Sequence, residues 1–211
     1  MTDRAFRIIN GKNSILISAP HSTMHKRGNS IRNAETRTGQ LVRDVAKKAN
    51  VYGIYKTKPE FNDANWDKKS KYKDEVIAMV KKHNITALLD IHGMASYREQ
   101  DICIGINGGK NIKNKKDTLK KMIAIFNDNG FKNVSIDDPF GATNSSCVST
   151  YTAQKCNIIA FQIEINQKYR SAKFKEFSKY NKLEKALTNV CKMLSKIWKL
   201  TKANWFDKIQ V

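Results

Sequence analysis

The chain has 211 residues, of which 40% are hydrophobic, and a formal net charge of +20. This length and apolar content suit a single globular domain spanning residues 1–211 and argue against a disordered protein. No apolar run approaches the roughly 20 residues of a membrane-spanning helix, so a membrane protein is not expected. The four cysteines have no paired spacing and the N-terminus has no apolar signal core, which predicts a cytoplasmic protein.

The positive charge raises nucleic acid as a partner, but the type of basic residue argues against it. Of the 39 basic residues, 31 are lysines spread along the chain and 8 are arginines. Phosphates and base edges are usually recognised by arginine, whose planar fork binds two oxygens at once. We therefore expect a lysine-rich solvated surface. A non-catalytic protein that binds nucleic acid or another polyanion is the weaker alternative.

Strands and helices alternate along the chain. Apolar periodicity predicts strands at 6–9, 14–18, 51–55, 86–91, 101–106, 134–136 and 158–165, and helices at 34–49, 72–82, 119–126 and from about 174 onward. Asn33 is the expected N-cap of the first helix, and residues 21–31 and 137–149 are expected to be loops. The apolar stripe of the last helix, which starts at Phe174, is interpreted as core packing. This order predicts an α/β protein, a three-layer α/β/α sandwich around a mixed, largely parallel sheet.

Three short polar segments stand where predicted buried strands end: Pro20-His21, Asp90 to Gly93, and Gln162 to Asn166. An unpaired polar group in a buried strand costs several kcal/mol, on the order of 2–7, so such groups need a reason to be there. Ligands of α/β proteins bind beyond the carboxyl ends of the strands, where all three segments fall. The sequence therefore predicts one shared polar site, most simply a metal site.

The predicted metal ligands are His21, His92 and Glu35. Either histidine alone would more simply be a hydrogen-bonded core residue, but two at strand ends favour ligation. A catalytic zinc site takes three protein ligands, and Glu35 is the best third candidate. A purely structural role for Glu35 is an alternative of equal weight, because the helix dipole favours an acid in the first turn of a helix without any metal. His25 is a competing ligand, expected instead in a mobile loop.

Glu164 is predicted to act as a general base on a water molecule, because a carboxylate near a metal can accept a proton and pass it to a leaving amine. A third metal ligand, or an ion-pair partner of Arg98 or Arg170, is the alternative for this residue. The chain has no G-x-S-x-G, no phosphate-binding G-x-x-x-x-G-K-[ST] and no G-x-G-x-x-G after a strand. Serine-hydrolase and nucleotide-binding chemistry are therefore not expected.

Five of the eight arginines follow the polar segments closely: Arg27, Arg32, Arg37, Arg98 and Arg170. This distribution predicts a small anionic substrate that carries a carboxylate, since arginine pairs well with carboxylate oxygens. Surface salt bridging is the alternative for Arg32 and Arg37.

At these residues the chain resembles the N-formylglutamate amidohydrolases, a family related to the zinc carboxypeptidases. Four segments carry the resemblance, in order, between about residues 14 and 170: Ser18 to His21, Asp90 to Gly93, Arg98 to Gly105, and Gln162 to Asn166. The resemblance implies a phosphorylase/hydrolase-like three-layer fold, one Zn²⁺ held by two histidines and a glutamate, and a catalytic glutamate. The implied positions are His21, Glu35 and His92 for zinc, and Glu164 for catalysis.

Arg98 falls where the family would place an arginine that binds substrate or polarises its carbonyl, so it is a second catalytic candidate. Arg170, Asn65 and Asn166 complete the predicted substrate-binding residues. The chain departs from the family pattern where arginine follows Asp-x-Asn and Glu-x-Asn, since Trp66 and Gln167 stand there. A paired glycine is likewise present only as Gly141-Ala142.

These departures weigh against N-formylglutamate itself as the substrate and affect the metal chemistry less. The predicted function is zinc-dependent hydrolysis of an amide C–N bond in a small acidic acyl-amino acid or peptide. A peptidase acting on glutamyl polymers or peptidoglycan peptides is the alternative within hydrolases. A relative that binds zinc without turnover is a third interpretation, and the sequence does not define an oligomeric state.

Overall fold

The computed structural model describes residues 4–171 and 177–207. The strands in these ranges are β1 (Phe6–Ile9), β2 (Asn13–Ala19), β3 (His25–Arg27), β4 (Ser30–Arg32), β5 (Val51–Lys56), β6 (Ala87–Met94), β7 (Ile102–Gly105), β8 (Val134–Ile136) and β9 (Ile159–Asn166). The α-helices are α1 (Thr38–Ala49), α2 (Lys71–Lys82), α3 (Lys116–Asp128), α4 (Val148–Cys156) and α5 (Phe177–Asp207).

Seven strands form one sheet in the order β1-β5-β2-β6-β9-β7-β8, and β3 and β4 pair in a separate hairpin. Strand β2 is parallel to β5 and β6, β6 is parallel to β9, and β7 is parallel to β8. The pairs β1–β5 and β7–β9 are antiparallel. With helices on both faces, the predicted α/β sandwich around a mixed, largely parallel sheet is confirmed.

Alternate residues of the central strands enter two apolar cores on opposite faces of the sheet. Ile15 and Ile17 of β2 join the core formed with α1, α3 and α5, whereas Leu16 joins the core formed with α2 and α4. All three side chains are fully buried. Burying a side chain of this size contributes about 1.5–3 kcal/mol, so packing on both faces fixes the sheet from which the site residues project.

Helix α1 begins four residues later than predicted, and Asn33 is not its N-cap. The backbone N–H of Glu35 donates to the carbonyl of His21 at 2.9 Å, and Thr38 donates back to the carbonyl of Glu35. Arg37 then enters the helix with a left-handed φ of 61°. Glu35 therefore lies before the helix, in a segment that is hydrogen-bonded to the residue after β2. The helix-dipole explanation for an acid at this position does not apply.

Residues 21–31, predicted to be a loop, include most of the hairpin of β3 and β4, which ends at Arg32. The pair Gly28-Asn29 joins the strands, and Gly28 has a φ of 56° that favours glycine. A Gly-Asn pair between two short runs is a recognised hairpin signal, so the sequence held this information. His25, expected to be mobile, is 4% exposed at the start of the hairpin.

Helix α4 was not predicted from apolar periodicity. Three of its inward-facing side chains carry hydroxyl groups, since Ser149, Thr150 and Thr152 are all fully buried. Buried hydroxyls give no apolar stripe, so the pattern that identified the other helices is missing here.

The last helix follows the predicted stripe from Tyr180 to Leu194, whose apolar members are buried in the α1, α3 and α5 core. Phe174, the predicted first residue of that stripe, lies outside the described residues. Among the helices that the structure describes, none combines the length and apolar character needed to cross a membrane.

Candidate active site

The polar side chains of β2, β6 and β9 lie in adjacent rows on one face of the sheet. Ser18 aligns with Asp90 and Asp90 with Gln162, and two residues further along His92 aligns with Glu164. All five share the strand parity of the core covered by α2 and α4. Asp90 and His92 therefore project from the same face of β6, and Gln162 and Glu164 from the same face of β9.

His21, Glu35 and His92 meet at the carboxyl ends of β2 and β6. The Nδ1 atom of His21 lies 2.9 Å from Glu35 Oε1, and the Nδ1 atom of His92 lies 3.3 Å from Glu35 Oε2. Glu35 Oε2 also accepts a hydrogen bond from the backbone N–H of Gly93 at 2.9 Å. One ligand atom from each of the three residues lies within 4.8 Å of the others. The structure thus brings all three predicted metal ligands together.

The far nitrogen of each imidazole faces an aspartate. His21 Nε2 is 2.7 Å from Asp63 Oδ1, and His92 Nε2 is 3.2 Å from Asp90 Oδ2. A carboxylate at Nε2 holds the proton there and leaves the Nδ1 lone pair for a metal. Because both Nδ1 atoms point toward Glu35, the donors are two imidazole nitrogens and one carboxylate, which is a ligand set that Zn²⁺ takes in hydrolases.

The charges around the two imidazoles are predominantly negative. Burial lowers the pKa of His21 and of His92, but Glu35 and the aspartate behind each ring outweigh it, so both pKa values are raised. Burial raises the pKa of Glu35, and the two histidines overcome that effect and lower it well below its usual range. The pKa of Asp63 is lowered in the same way by His21 and Arg27. The cluster therefore attracts cations, and protons compete with a metal for the Nδ1 atoms.

Asn65 is the third neighbour of His92. Its Nδ2 lies 3.0 Å from His92 Nε2, and its Oδ1 accepts a hydrogen bond from the backbone of Val148 at 2.9 Å. A neutral ring nitrogen either donates or accepts, so Nε2 serves Asp90 or Asn65 but not both. With the proton on Nε2, Asp90 is the partner and the Asn65 amide hydrogens are left for another acceptor.

Glu164 faces the same space from β9 and is 8% exposed. Burial raises the pKa of Glu164 to about 7, against the lowering effect of His92. Gln162 Nε2 donates to Glu164 Oε1 at 3.1 Å and orients the carboxyl group. A carboxyl group that titrates near neutrality can both accept and return a proton.

A cavity of about 370 Å³ lies over these groups and has the volume of a small-molecule site. His21, Glu35, His92 and Glu164 are among its lining residues, and we call this group the metal-ligand side. Arg27, Trp66 and the loop at residues 139–144 also line the cavity, and we call this more exposed group the cavity mouth.

Two of the predicted substrate-binding residues differ in access to this cavity. Asn65 lines it, whereas Arg98 does not. The Arg98 guanidinium lies 5.2 Å from the centroid of the Phe140 ring, and that ring lines the cavity. The catalytic and binding roles of Arg98 stay predictions.

Arg170 and Asn166 also lie outside the cavity lining. Arg170 is 3% exposed and donates to three backbone carbonyls, those of Ile165, Thr36 and Met94. Asn166 Nδ2 donates to the carbonyls of Arg98 and Gln100 at 2.9 and 3.0 Å. Both side chains hold the segments behind the site. A Cβ at Gly93 would lie 2.3 Å from the Arg170 guanidinium, which explains the glycine after His92.

The sequence analysis gave Asp63 no role in the site and counted Arg27 only among the arginines that follow the polar segments. Asp63 is fully buried and joins two groups, with Oδ1 at His21 Nε2 and Oδ2 accepting from Arg27 Nε at 2.6 Å. The hairpin signal at Gly28-Asn29 would have placed Arg27 on a strand.

His25 lies beside the same groups. Its ring stacks on that of His21 with centroids 4.0 Å apart, and His21, His25 and Asp63 form a second group with metal-ligand spacing. Burial, and then the charge of His21, lower the pKa of His25 to about 4. Arg27 already occupies Asp63 Oδ2, which disfavours a cation at this second position.

Residues 70–170 match the family model of the N-formylglutamate amidohydrolases. An N-formylglutamate amidohydrolase from Ralstonia eutropha JMP134 has a similar structure, with a TM-score of 0.61 and 12% identity over 92% of this chain and 97% of that chain. A bacteriophage poly-gamma-glutamate hydrolase gives 0.58 and 17% over 95% and 93%. A metallo-carboxypeptidase from Pseudomonas aeruginosa gives 0.56 and 11% over 92% and 60%.

A sequence search of curated proteins gave no significant match. At these identities the similar structures show the fold alone, and the matched stretch contains His92 and Glu164 but not His21 or Glu35. The predicted resemblance is confirmed: residues 70–170 are similar to the N-formylglutamate amidohydrolase family, and this match together with the fold supports an amidohydrolase-type enzyme.

Proposed function

We propose that the protein is a zinc-dependent hydrolase that cleaves an amide C–N bond in a small, carboxylate-bearing acyl-amino acid or peptide. One observation carries the proposal: the Nδ1 atoms of His21 and His92 converge on Glu35, while an aspartate holds each ring at Nε2. In this proposal His21, Glu35 and His92 hold the zinc ion. When bound, zinc polarises a carbonyl and lowers the pKa of a water molecule.

The surrounding side chains supply the proton transfers and the positioning. Glu164, with a pKa raised to about 7, accepts a proton from the attacking water and returns it to the leaving amine. Gln162 holds the Glu164 carboxyl group in place. The Asn65 amide, which lines the cavity, donates to a substrate oxygen once the proton of His92 is on Nε2.

Arg98 is proposed to stabilise the negative charge that develops on the carbonyl oxygen. The Arg98 guanidinium contacts the Phe140 ring and does not line the cavity, so this role requires the Arg98 side chain to move into the cavity. Arg98→Gln tests it, because a loss of kcat with unchanged KM is expected only from a group that acts in the transition state.

The proposed substrate is small and anionic because the cavity holds about 370 Å³ and has an arginine at its mouth. Nucleic acid is not a proposed partner, because the proposed reaction cleaves an amide bond in a small carboxylate-bearing substrate. A cytoplasmic location belongs to the proposal and is supported by the four cysteines, all of which are free.

A glutamyl polymer or a peptidoglycan peptide is the second candidate substrate. Trp66 lines the cavity and is 53% exposed, so the site is open to solvent at this wall and a longer chain can extend past it. The net charge of +20 would attract such polyanions. The bacteriophage poly-gamma-glutamate hydrolase has the same fold, which is compatible with this candidate. Rates that rise with the length of glutamyl oligomers would favour the polymer over a single acyl-amino acid.

Metal analysis and hydrolysis assays test the main proposal together. We expect purified wild-type protein to bind one zinc ion per chain and Glu35→Ala to bind it far more weakly. The zinc-loaded protein is assayed on formyl-amino acids, other acyl-amino acids, short glutamyl peptides and cell-wall peptides. Absence of hydrolysis across all four classes contradicts the hydrolase, and unchanged zinc affinity in Glu35→Ala contradicts the ligand assignment.

A further inference from the structure

Among the described residues that line the cavity, Arg27 is the one lysine or arginine. Two carboxyl groups, those of Glu35 and Glu164, line the same cavity. In the proposed function the zinc ion would interact with the carbonyl that is cleaved, so a carboxylate elsewhere in the substrate needs a second cation on the wall of the cavity. Arg27 supplies that cation at the cavity mouth.

The Arg27 guanidinium is held on one edge and open on another. Its Nε donates to Asp63 Oδ2 at 2.6 Å, and its carbon lies 5.8 Å from the centroid of the Trp66 ring. The side chain is 35% exposed, and neither Nη atom has a hydrogen-bond partner within the described ranges. The two Nη atoms therefore remain available for the paired oxygens of a carboxylate.

The hairpin holds Arg27 in this position. Arg27 pairs with Ser30 across the hairpin, and His25 projects from the same face of β3. His25 is buried against the His21 ring and pairs through its backbone with Glu60. The base of the hairpin is thus anchored to the metal-ligand side of the cavity, and Arg27 is not on a free loop.

We propose that Arg27, backed by the Trp66 ring, binds a carboxylate of the substrate and selects acidic acyl-amino acids over neutral ones. The inference rests on the proposed function, since it names the group that recognises the substrate of the same site. Asp63 connects Arg27 with His21, one carboxylate oxygen to each. The substrate carboxylate is therefore held at a fixed distance from the metal ligands.

The test measures binding of three probes to zinc-loaded protein by calorimetry: N-acetylglutamate and its two mono-amides, N-acetylglutamine and N-acetylisoglutamine. The variants are Arg27→Gln and Arg27→Lys. Arg43→Gln is the matched control, because Arg43 is an exposed arginine of α1 paired with Asp44, away from the cavity lining. Zinc content and thermal melting are measured for each protein, so that a general structural effect is detected.

We expect Arg27→Gln to weaken N-acetylglutamate binding about 10- to 100-fold, the usual effect of losing hydrogen bonds to a charged group. Arg27→Lys should recover part of the loss, since an ammonium group keeps the charge without the fork. One mono-amide should bind equally to wild type and Arg27→Gln, because it lacks the recognised carboxylate. Arg43→Gln should behave as wild type.

Equal weakening of all three probes by Arg27→Gln, unchanged binding of N-acetylglutamate, or no binding of any probe to wild type would overturn the inference. Hydrolysis of the probes is followed separately. Turnover that is equally fast in wild type and Arg27→Gln keeps the hydrolase and rejects the role of Arg27. Arg27-dependent binding without turnover of any substrate class keeps the carboxylate site and rejects the hydrolase.

Discussion

The two sides of the cavity are built differently. On the metal-ligand side, His21, Glu35 and His92 each have at least two polar partners, and the two histidines are at most 3% exposed. At the cavity mouth, Trp66 is 53% exposed and Arg27 keeps two of its nitrogens unpaired within the described residues. Buried side chains whose hydrogen bonds are satisfied are suited to holding a metal ion in one geometry. Exposed side chains with unpaired donors are suited to binding a substrate. We expect substitutions on the two sides to separate catalysis from selection.

The largest effect is expected from His92→Ala, on the metal-ligand side. Loss of one of three ligands removes the metal, and with it several kcal/mol of transition-state stabilisation, so kcat/KM should fall about 10⁴-fold or more. Metal content and steady-state rates measure the change. His83→Ala is the control, since His83 ends α2 and stacks on Tyr52 away from the cavity. Unchanged metal affinity in His92→Ala would contradict the ligand assignment.

Glu164→Gln should lower kcat about 10²- to 10⁴-fold and leave the metal bound, as expected when a general base is lost. The sign of the pH dependence follows from the pKa raised to about 7. Below that pH the carboxyl group is protonated and cannot accept a proton, so wild-type kcat/KM should fall as the pH decreases. The pH-rate profile of Glu164→Gln should lack this acidic limb. A limb that persists unchanged would assign the titration to another group.

The aspartates behind the histidines allow a finer comparison. Asp90→Asn and Asp63→Asn should each weaken metal binding about 10- to 100-fold, because the carboxylate orients the ring and increases its basicity. Only Asp63 also contacts Arg27, so Asp63→Asn should in addition weaken binding of N-acetylglutamate to the metal-saturated protein. Metal titrations and calorimetry separate the two effects. Equal carboxylate binding in both variants would show that the two sides of the cavity are independent.

The smallest effect is expected from Trp66→Leu, at the cavity mouth. A cation–π contact at an exposed site contributes about 0.5–1 kcal/mol, so KM for an acidic substrate should rise about two- to fivefold. The metal content and kcat should not change, and these are the measurements to make beside KM. A large loss of kcat would mean that Trp66 supports the metal-ligand side after all.

The sequence allowed the metal-ligand side to be predicted because its residues interrupt strong patterns. His92 and Glu164 stand in strands that are otherwise apolar, and His21 directly follows one. Such interruptions can be recognised from the sequence alone, because a buried strand tolerates polar groups only where they have hydrogen-bonding or ionic partners. Two features that the sequence analysis did not predict correctly have no comparable pattern. Glu35 was placed in a helix but lies before it, and α4 was missed because it buries hydroxyl groups in place of an apolar stripe.

The sequence by itself determined the alternation of strands and helices, the layered fold, and the polar residues at the strand ends, because period and burial are local properties of the chain. The tertiary structure decided which polar groups become partners. Asp63 reaches His21 across 42 residues and Arg27 across 36. Packing alone determines contacts between such distant segments, so the supports of the histidines and the open arginine at the cavity mouth emerge only when the sheet, the hairpin and the loops are assembled.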